Sequence, residues 1–292
     1  MKPKISVVIG NFDGMHLGHQ LLFNVVLKLA EEHGFTPAVA TFSPHPAKIY
    51  SDVKLIYTEE QREALIRACG IKDYNVIPFD KAFATLTPDE FLIEYLVGRL
   101  NVGAVAVGSD FHFGSHRAGT PQLLKTFCEE HGIICHVLDK LSLDGNIVSS
   151  TAIRDALGRG DIGLANRYLG RDMEYIGRVV EGDRIGATIG FPTANLQVYN
   201  EQLPADGVYA GYVVIEGQCR PAMVYVGLRP TLKTKLERRF EVHIIDYTPE
   251  KSLYGATLRV SLTHRLRGER KFNSLDELQA QLRIDKEAAL LC

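Results

Sequence analysis

The sequence predicts two domains of different class, an α/β domain with a parallel sheet followed by an all-β domain. The chain has 292 residues, which is enough for two hydrophobic cores. In its first half, short β-branched runs alternate with amphipathic helical patterns, which is typical of parallel strands joined by crossover helices. From Tyr175 to Leu266 the helical period gives way to short runs separated by Gly, Pro and Asp, which indicates an antiparallel barrel or sandwich.

Each strand predicted in the first domain is a short apolar run, and each helix has an apolar face or a capping residue before it. The predicted strands are Ile5 to Ile9, Ala38 to Phe42, Asn75 to Pro78, Ala104 to Val107 and Cys135 to Val137. The predicted helices are His19 to Glu32, Glu59 to Cys69, Pro88 to Leu100 and Thr120 to His131. This alternation predicts a doubly wound, Rossmann-like sheet.

The second domain is predicted to be an antiparallel β-domain followed by an amphipathic helix. Its predicted strands are Tyr175 to Val180, Gly207 to Ile215, Cys219 to Val226, Phe240 to Ile245 and Thr257 to His264. The helix is expected from Ser274 to Leu290. We place the boundary after Asp172, which gives domains 1–172 and 173–292.

Composition excludes several classes of protein. The net charge is −2, whereas a nucleic-acid-binding protein needs a clustered basic excess, so no nucleic-acid partner is expected. The five cysteines are scattered and form no C-x-x-C pair, which argues against a zinc site or a disulfide framework. The first apolar run is too short for a signal-peptide core, and no stretch reaches the length of a membrane span. We therefore expect a cytoplasmic protein without a membrane partner.

Gly10 to His19 (GNFDGMHLGH) joins the first predicted strand to the first helix. Glycines let the backbone approach a phosphate, and a helix start offers free N–H groups. His16 and His19 lie three residues apart, so both side chains can reach the phosphates of a nucleotide. This pattern favours a nucleotidyltransferase site, although two histidines that merely cap a helix would give the same spacing.

Further polar segments follow other elements of the first domain. Ser149 to Arg154 (SSTAIR) opens another helix with three hydroxyls and an arginine, which suits phosphate groups, although Ser and Thr also start helices as simple caps. Ser43 to Pro46 and Gly108 to Gly114 follow strands on the same side of the sheet, and each alone could be an ordinary turn.

Together these segments resemble the adenylyltransferase half of the bacterial bifunctional riboflavin kinase/FAD synthetase family. The family's G-x-F-D-G-x-H-x-G-H-Q, T-F-x-P-H-P, G-x-D-F-x-F-G-x-x-R-x-G and S-S-T-x-I-R are matched, in that order, by Gly10 to Gln20, Thr41 to Pro46, Gly108 to Gly119 and Ser149 to Arg154. The resemblance implies an ATP site in which the catalytic groups are His16, His19 and Arg154. The remaining implied ATP-site residues are Gly10, Phe12, Asp110, Ser149, Ser150 and Thr151. It implies that His45 lies toward FMN.

The second domain contains a glycine-spaced stretch that includes Gly177, Gly182 and Gly186, of a kind that is most often a set of turns. Thr193 and Asn195 follow it and offer a hydroxyl and an amide oxygen, which a Mg²⁺-phosphate complex accepts. In the predicted strand from Phe240, Glu241 and His243 share one face. In a generic β-domain Glu241 would simply be a solvated strand residue.

These residues also resemble the family, in its riboflavin kinase half. The matches are P-T-A-N (Pro192 to Asn195), L-P-x-x-G-V-Y (Leu203 to Tyr209), G-x-R-P-T (Gly227 to Thr231), E-V-H (Glu241 to His243) and L-Y-G (Leu253 to Gly255). The resemblance implies a six-stranded antiparallel barrel closed by a C-terminal helix. It implies ATP binding by Gly177, Gly182, Gly186, Thr193 and Asn195, with Thr193 and Asn195 also holding Mg²⁺. Glu241 would be the base that deprotonates the riboflavin 5′-hydroxyl, which a neutral nucleophile requires.

The resemblance thus implies an enzyme that makes FMN from riboflavin and ATP and then FAD from FMN and ATP. Two departures stand out: Ala187 replaces a frequent arginine, and Thr120 follows Gly119 where an acidic residue is common. Because of Ala187, an enzyme with only the adenylyltransferase half active stays open, as does a non-catalytic flavin-binding carrier. An RNA-charging enzyme with the same H-x-G-H lacks support, since the chain has no basic surface pattern. Whether the protein is a homo-oligomer or a monomer is open from sequence.

Overall fold

The computed structural model describes residues 3–182, 185–230, 236–248 and 251–292. By its internal contacts the chain divides into two compact units, Met1–Ser149 and Ser150–Cys292. The predicted domain boundary after Asp172 differs from this division, which assigns the helices between Ser150 and Leu169 to the second unit. The predicted boundary stays a prediction.

The first unit is built on a five-stranded sheet with the strand order β3-β2-β1-β4-β5, and every neighbouring pair is parallel. The strands are β1 (Ile5–Ile9), β2 (Thr36–Ser43), β3 (Asp73–Pro78), β4 (Val102–Gly108) and β5 (Ile134–Leu138). All five residues of β1 are buried, as expected for a central parallel strand with both faces covered. The predicted Rossmann-like α/β class is confirmed.

Helices cover both faces of this sheet. They are α1 (Leu17–His33), α2 (Ala47–Tyr50), α3 (Glu59–Ala68), α4 (Pro88–Phe91) and α5 (Pro121–Glu130). Phe23 and Val26 of α1 pack in one core together with Ile66 of α3, while Phe91 and Leu124 belong to the core on the other face. After α4 the chain continues as a π-helix over Leu92–Arg99, and a hairpin of β6 (Ser142–Leu143) and β7 (Asn146–Ile147) follows β5.

The strand order determines where a ligand can sit. The chain leaves β1 toward β2 on one side and leaves β4 toward β5 on the other, so β1 and β4 are neighbours whose connections run in opposite directions. In an open α/β sheet, the carboxyl ends of such a strand pair border a crevice. Gly10 follows β1 and Gly108 ends β4, so the predicted nucleotide segments begin at this crevice.

The second unit contains a closed barrel with the strand order β10-β11-β12-β9-β8-β13, in which neighbouring strands are antiparallel. Its strands are β8 (Met173–Val180), β9 (Ala194–Val198), β10 (Gly207–Ile215), β11 (Gln218–Pro230), β12 (Leu236–Ile244) and β13 (Thr257–Arg267). Its helices are α6 (Ser150–Arg159), α7 (Ile162–Leu169), α8 (Ile185–Thr188) and α9 (Leu275–Leu290). The predicted six-stranded barrel with a C-terminal helix is confirmed.

Aromatic residues fill the barrel, and α9 covers part of its outside. Tyr175 and Phe240 are fully buried, with ring centroids 5.2 Å apart. Ala289 of α9 packs with Met223 and Ile245 in a second cluster. In the part of the chain that the structure describes, no helix combines the length and apolarity needed to cross a bilayer.

Candidate active sites

The first candidate site is the loop between β1 and α1. His16 caps α1, because its Nδ1 accepts a hydrogen bond from the backbone N–H of His19 at 3.3 Å. A ring that accepts at Nδ1 carries its proton on Nε2, which makes Nε2 a donor. The rings of His16 and His19 are stacked with centroids 3.6 Å apart, so the two histidines form one unit at the start of the helix. The structure thus brings the two predicted side chains together, and their role at a phosphate stays a prediction.

Phe12 fixes the shape of this loop. Its φ is 53° and that of Met15 is 45°, values in the left-handed region that non-glycine residues rarely adopt. The Phe12 ring is 1% exposed and meets the ring of His19 edge-on at 5.3 Å. A Cβ at Gly10 would lie 3.0 Å from the same ring, which is tighter than ordinary van der Waals contact, so a larger residue there would push against the Phe12 ring. The buried Phe12 ring therefore packs against the His19 ring and restricts its orientation.

The other predicted residues of the first unit lie after strands of the same sheet. Asp110 follows β4, is exposed, and pairs with Lys140 at 3.0 Å. His45 follows β2, is half-buried, and accepts a hydrogen bond at Nδ1 from the backbone N–H of Ala47 at 3.1 Å. Because β1, β2 and β4 are parallel, the three loops share one edge of the sheet.

The hydroxyl cluster is divided between the two units. Ser149 ends the first unit, whereas Ser150, Thr151 and Arg154 lie in α6 of the second. Ser149, Ser150 and Arg154 are partly buried and Thr151 is exposed. A joint site with His16 and His19 stays a prediction.

The second candidate site lies on the outside of the barrel. Glu241 of β12 stands opposite Asn195 of β9 on one side and Tyr225 of β11 on the other. Directly opposite residues of antiparallel strands project to the same face. Phe240 and Val242 are buried on the other face, so Glu241 and Asn195 share the outer one.

Arg239 is a residue of this site that sequence reasoning missed. Its Nη1 lies 3.1 Å from Oε1 of Glu241, and the two side chains are 27% and 22% exposed. The spacing of two residues along a strand puts both side chains on one face, and that spacing is the signal that could have found the pair. The guanidinium holds the carboxylate on the barrel surface in a defined place.

Glycines let the backbone approach the predicted Mg²⁺ ligands. A Cβ on Gly182 would lie 2.0 Å from Nδ2 of Asn195, and a Cβ on Gly186 would lie 2.3 Å from the carbonyl oxygen of Phe191. At Gly177 it would lie 2.7 Å from the carbonyl oxygen of Gln197. Each of these predicted glycines therefore packs against the segment that contains Thr193 and Asn195. Asp183 and Arg184 of the glycine-spaced stretch, and Thr231 of the G-x-R-P-T match, lie outside the described residues.

His243 supports the same segment from β12. It is 8% exposed, and its Nδ1 donates to the carbonyl oxygen of Pro192 at 2.8 Å. Burial lowers the pKa of His243 below its ordinary value of 6.5, which favours the uncharged ring. Of the two residues predicted to share a face, Glu241 is thus the candidate base, whereas His243 donates a hydrogen bond that holds the P-T-A-N segment in place.

A cavity of about 210 Å³ lies beside this segment. Thr193 lines it together with Leu253 and Tyr254, so the structure brings the P-T-A-N and L-Y-G matches to one place. The other lining residues are Val179, Pro192, Ala194, Val242, Ile244, Tyr247 and Ser252. Glu241 is not part of this wall.

Comparison with known proteins matches both halves of the chain. The family model described as FAD synthetase matches residues 1–152, and the model described as riboflavin kinase matches residues 169–291. The bifunctional riboflavin kinase/FMN adenylyltransferase of Bacillus subtilis is 36% identical over 99% of this chain and 92% of that protein. The chain belongs to the bifunctional riboflavin kinase/FMN adenylyltransferase family. The member from Escherichia coli strain K12 is also 36% identical, over 97% of this chain and 91% of that protein.

A solved structure has the same overall fold as this family member. It comes from Streptococcus pneumoniae, is named a macrolide-efflux protein, and superposes with a TM-score of 0.90 at 34% identity. The match covers 99% of this chain and 95% of the other. Its name describes that protein, whereas both family models assign transferase domains to this chain.

The two departures from the family pattern can be placed in the structure. Thr120 is the N-cap of α5, and its hydroxyl accepts a hydrogen bond from the backbone N–H of Leu123 at 3.2 Å. The cap that an acidic residue would supply is therefore kept. Ala187 is exposed in the short helix α8, one residue after Gly186.

Proposed function

We propose that this bifunctional flavin-cofactor enzyme uses Glu241 for the phosphorylation of riboflavin to FMN and the paired histidines for the transfer of AMP to FMN. The observation that supports the first assignment is the position of Glu241 opposite Asn195 on adjoining strands. The stacking of His16 on His19 at the crevice of the parallel sheet supports the second. ATP is the co-substrate of both steps.

In the kinase step a neutral alcohol must become the nucleophile. Glu241 accepts the proton of the riboflavin 5′-hydroxyl while that oxygen bonds to the γ-phosphorus of ATP. The bond between the γ-phosphorus and the bridging oxygen breaks, and ADP leaves. The ion pair with Arg239 at 3.1 Å orients the Glu241 carboxylate on the outer face of the barrel before the substrate binds.

In the adenylyl-transfer step the nucleophile is already an anion, so no general base is required. An oxygen of the FMN phosphate bonds to the α-phosphorus of ATP, and pyrophosphate leaves. His16 and His19 donate hydrogen bonds to the phosphate oxygens, together with the hydroxyls of Ser149, Ser150 and Thr151. Arg154 supplies the positive charge that offsets the phosphate charge. Gly10 and Phe12 shape the loop, Asp110 borders the nucleotide, and His45 lies toward FMN.

The residues of the kinase half fit a magnesium ion. Thr193 and Asn195 offer a hydroxyl and an amide oxygen, and Gly182 leaves room around Asn195 where a Cβ would clash. Mg²⁺ is usually held by few protein oxygens and completed by phosphates and water, which this donor set suits. When bound, the ion would neutralise the charge on the ATP phosphates.

The other features of the proposal follow from composition and sequence. The partners are flavins and ATP rather than nucleic acid, in line with the net charge of −2. We place the enzyme in the cytoplasm and the boundary between its catalytic halves after Asp172. Sedimentation analysis would show whether it is a monomer or a homo-oligomer.

Chromatographic product analysis tests the proposal. The protein is incubated with ATP and Mg²⁺ and either riboflavin or FMN. FMN that appears and is then replaced by FAD supports both activities. FAD from FMN with no product from riboflavin would leave only the adenylyltransferase half active and direct attention to Ala187. Flavin that stays bound without any product would favour a carrier.

A further inference from the structure

The first turn of α3 contacts two loops that carry predicted site residues. Nη1 of Arg62 donates to the carbonyl oxygen of Asn11 at 3.2 Å, in the loop after β1. Oε1 of Glu59 accepts a hydrogen bond at 2.6 Å from Oγ of Ser43, the last residue of β2, which leads into the loop that contains His45. One helical turn therefore contacts both the loop after β1, which we call the nucleotide loop, and the loop after β2, which we call the flavin-side loop.

Arg62 is an unusual residue for this position because its side chain is only 3% exposed. Its Nη2 lies 3.9 Å from Oε1 of Glu59, so the same carboxylate oxygen faces both Arg62 and Ser43. A buried guanidinium costs desolvation free energy, and an apolar side chain would fill the space without that cost. The planar guanidinium can instead contact a carbonyl and a carboxylate at once, which a lysine ammonium does less well.

The turn itself is rigid. The hydroxyl of Thr58 accepts from the backbone N–H of Gln61 at 3.2 Å, and Oε1 of Gln61 accepts from the backbone N–H of Thr58 at 3.1 Å. This reciprocal capping box fixes the start of α3. A second anchor lies just before it, where Oδ1 of Asp13 accepts from the backbone N–H of Ile56 at 3.0 Å. The nucleotide loop is thus tied at Asn11 and at Asp13 to a single rigid segment.

We propose that Arg62 and Glu59 are positioning residues for adenylyl transfer, which hold the nucleotide loop and the flavin-side loop in register. The proposal rests on the proposed function, because it takes the roles of those two loops from there. Neither side chain has to touch the reacting atoms. The pair acts by setting the distance between the α-phosphorus of ATP and the attacking oxygen of FMN, and small errors in such a distance lower rates strongly.

The test compares Arg62→Met, Arg62→Lys, Glu59→Ala and Ser43→Ala in the full-length protein. Steady-state kinetics give kcat and the KM values for ATP and FMN in adenylyl transfer, and riboflavin phosphorylation serves as the internal control. Arg67→Met is the matched control variant, since Arg67 lies on the same helix in an exposed pair with Glu63 at 2.8 Å. Thermal unfolding of each variant shows whether it folds.

Arg62→Met is expected to lower kcat/KM of adenylyl transfer at least about tenfold, with partial recovery in Arg62→Lys. Glu59→Ala changes a half-exposed residue, so it should fold normally and raise both KM values, whereas Ser43→Ala should raise the KM for FMN alone. Riboflavin phosphorylation and Arg67→Met should stay within about twofold of the parent.

Two results separate this inference from the function on which it rests. If folded Arg62→Met and Glu59→Ala keep parental constants while His16→Ala abolishes FAD formation, the positioning role is wrong and the site assignment stands. If His16→Ala also keeps full adenylyl transfer, the assignment of the nucleotide loop fails, and the inference fails with it.

Discussion

Replacing Glu241 by glutamine removes a carboxylate and changes little else. The glutamine keeps the size of the side chain, and its amide oxygen can still accept a hydrogen bond from Arg239. A positioned general base contributes about 10²–10⁴ in rate, which corresponds to about 3–5 kcal/mol of transition-state stabilisation. We therefore expect kcat for riboflavin phosphorylation to fall by about that factor, with FMN adenylylation unchanged.

The expected effect of the same change on stability is small. Glu241 and Arg239 are 22% and 27% exposed, so solvent screens their ion pair. Partly exposed pairs contribute about 0.2–1 kcal/mol, which corresponds to a shift of only about 2–4 °C or less in Tm for a chain of this size. A large loss of kinase activity with a small shift of Tm would thus reflect chemistry rather than unfolding.

The assay follows FMN and ADP formation under single-turnover conditions in the parent, Glu241→Gln and Glu174→Gln. Glu174 is a matched control because it is also a barrel glutamate paired with an arginine, Arg259, at 3.2 Å. Glu174→Gln should keep the parental rate. Retention of the kinase rate within about threefold in Glu241→Gln would refute the assignment of the base, since no general base has so small an effect.

Three further predictions concern the barrel. Gly182→Ala places a Cβ 2.0 Å from Nδ2 of Asn195, so it should raise the KM for Mg²⁺-ATP in the kinase reaction at least about tenfold. An unchanged KM in a magnesium titration would contradict the role of Asn195. Burial lowers the pKa of His243 below 6.5, so the unfolded state binds more protons near that pH and the free energy of unfolding should fall as the pH drops through 6.5. Urea unfolding at several pH values checks this, and His243→Asn, which retains a donor for Pro192, should flatten the profile. Asp285→Asn removes the carboxylate that lies 2.8 Å from Arg267, and it should lower the free energy of unfolding by about 3 kcal/mol. This is the low end for a buried pair, because the arginine is 20% exposed. A decrease below about 1 kcal/mol in urea unfolding would contradict this prediction.

The fold was predictable wherever local patterns and tertiary packing agree. The run Ile5 to Ile9 is both apolar and β-branched, and it is a strand with these bounds. His16 was predicted to lie near His19 from spacing alone, and the helix start brings the rings together. In the barrel, Gly207 to Ile215 was predicted with its observed bounds.

The strand β9 could not be predicted because its sequence contains conflicting local signals. Pro192 and Asn195 are typical of turns, and the segment forms a strand because β8 and β12 pair with its two edges. The π-helical turns after α4 were likewise missed, since an apolar period does not distinguish them from α-helix. The contact between Arg62 and Asn11 joins residues 51 positions apart, and no sequence spacing indicates it.

The closure of the barrel has a consequence for its dynamics. β12 meets β9 at Glu241 with Asn195 and at Val242 with Ala194, whereas β10 meets β11 along its whole length from Gly207 to Ile215. A short ladder opens at a lower free-energy cost than a long one, so its amide hydrogens exchange sooner with solvent. The short ladder between β9 and β12 therefore contains Asn195, proposed to hold magnesium, and Glu241, the proposed base. A ligand that contacts both strands should slow amide hydrogen exchange more in this ladder than elsewhere in the barrel.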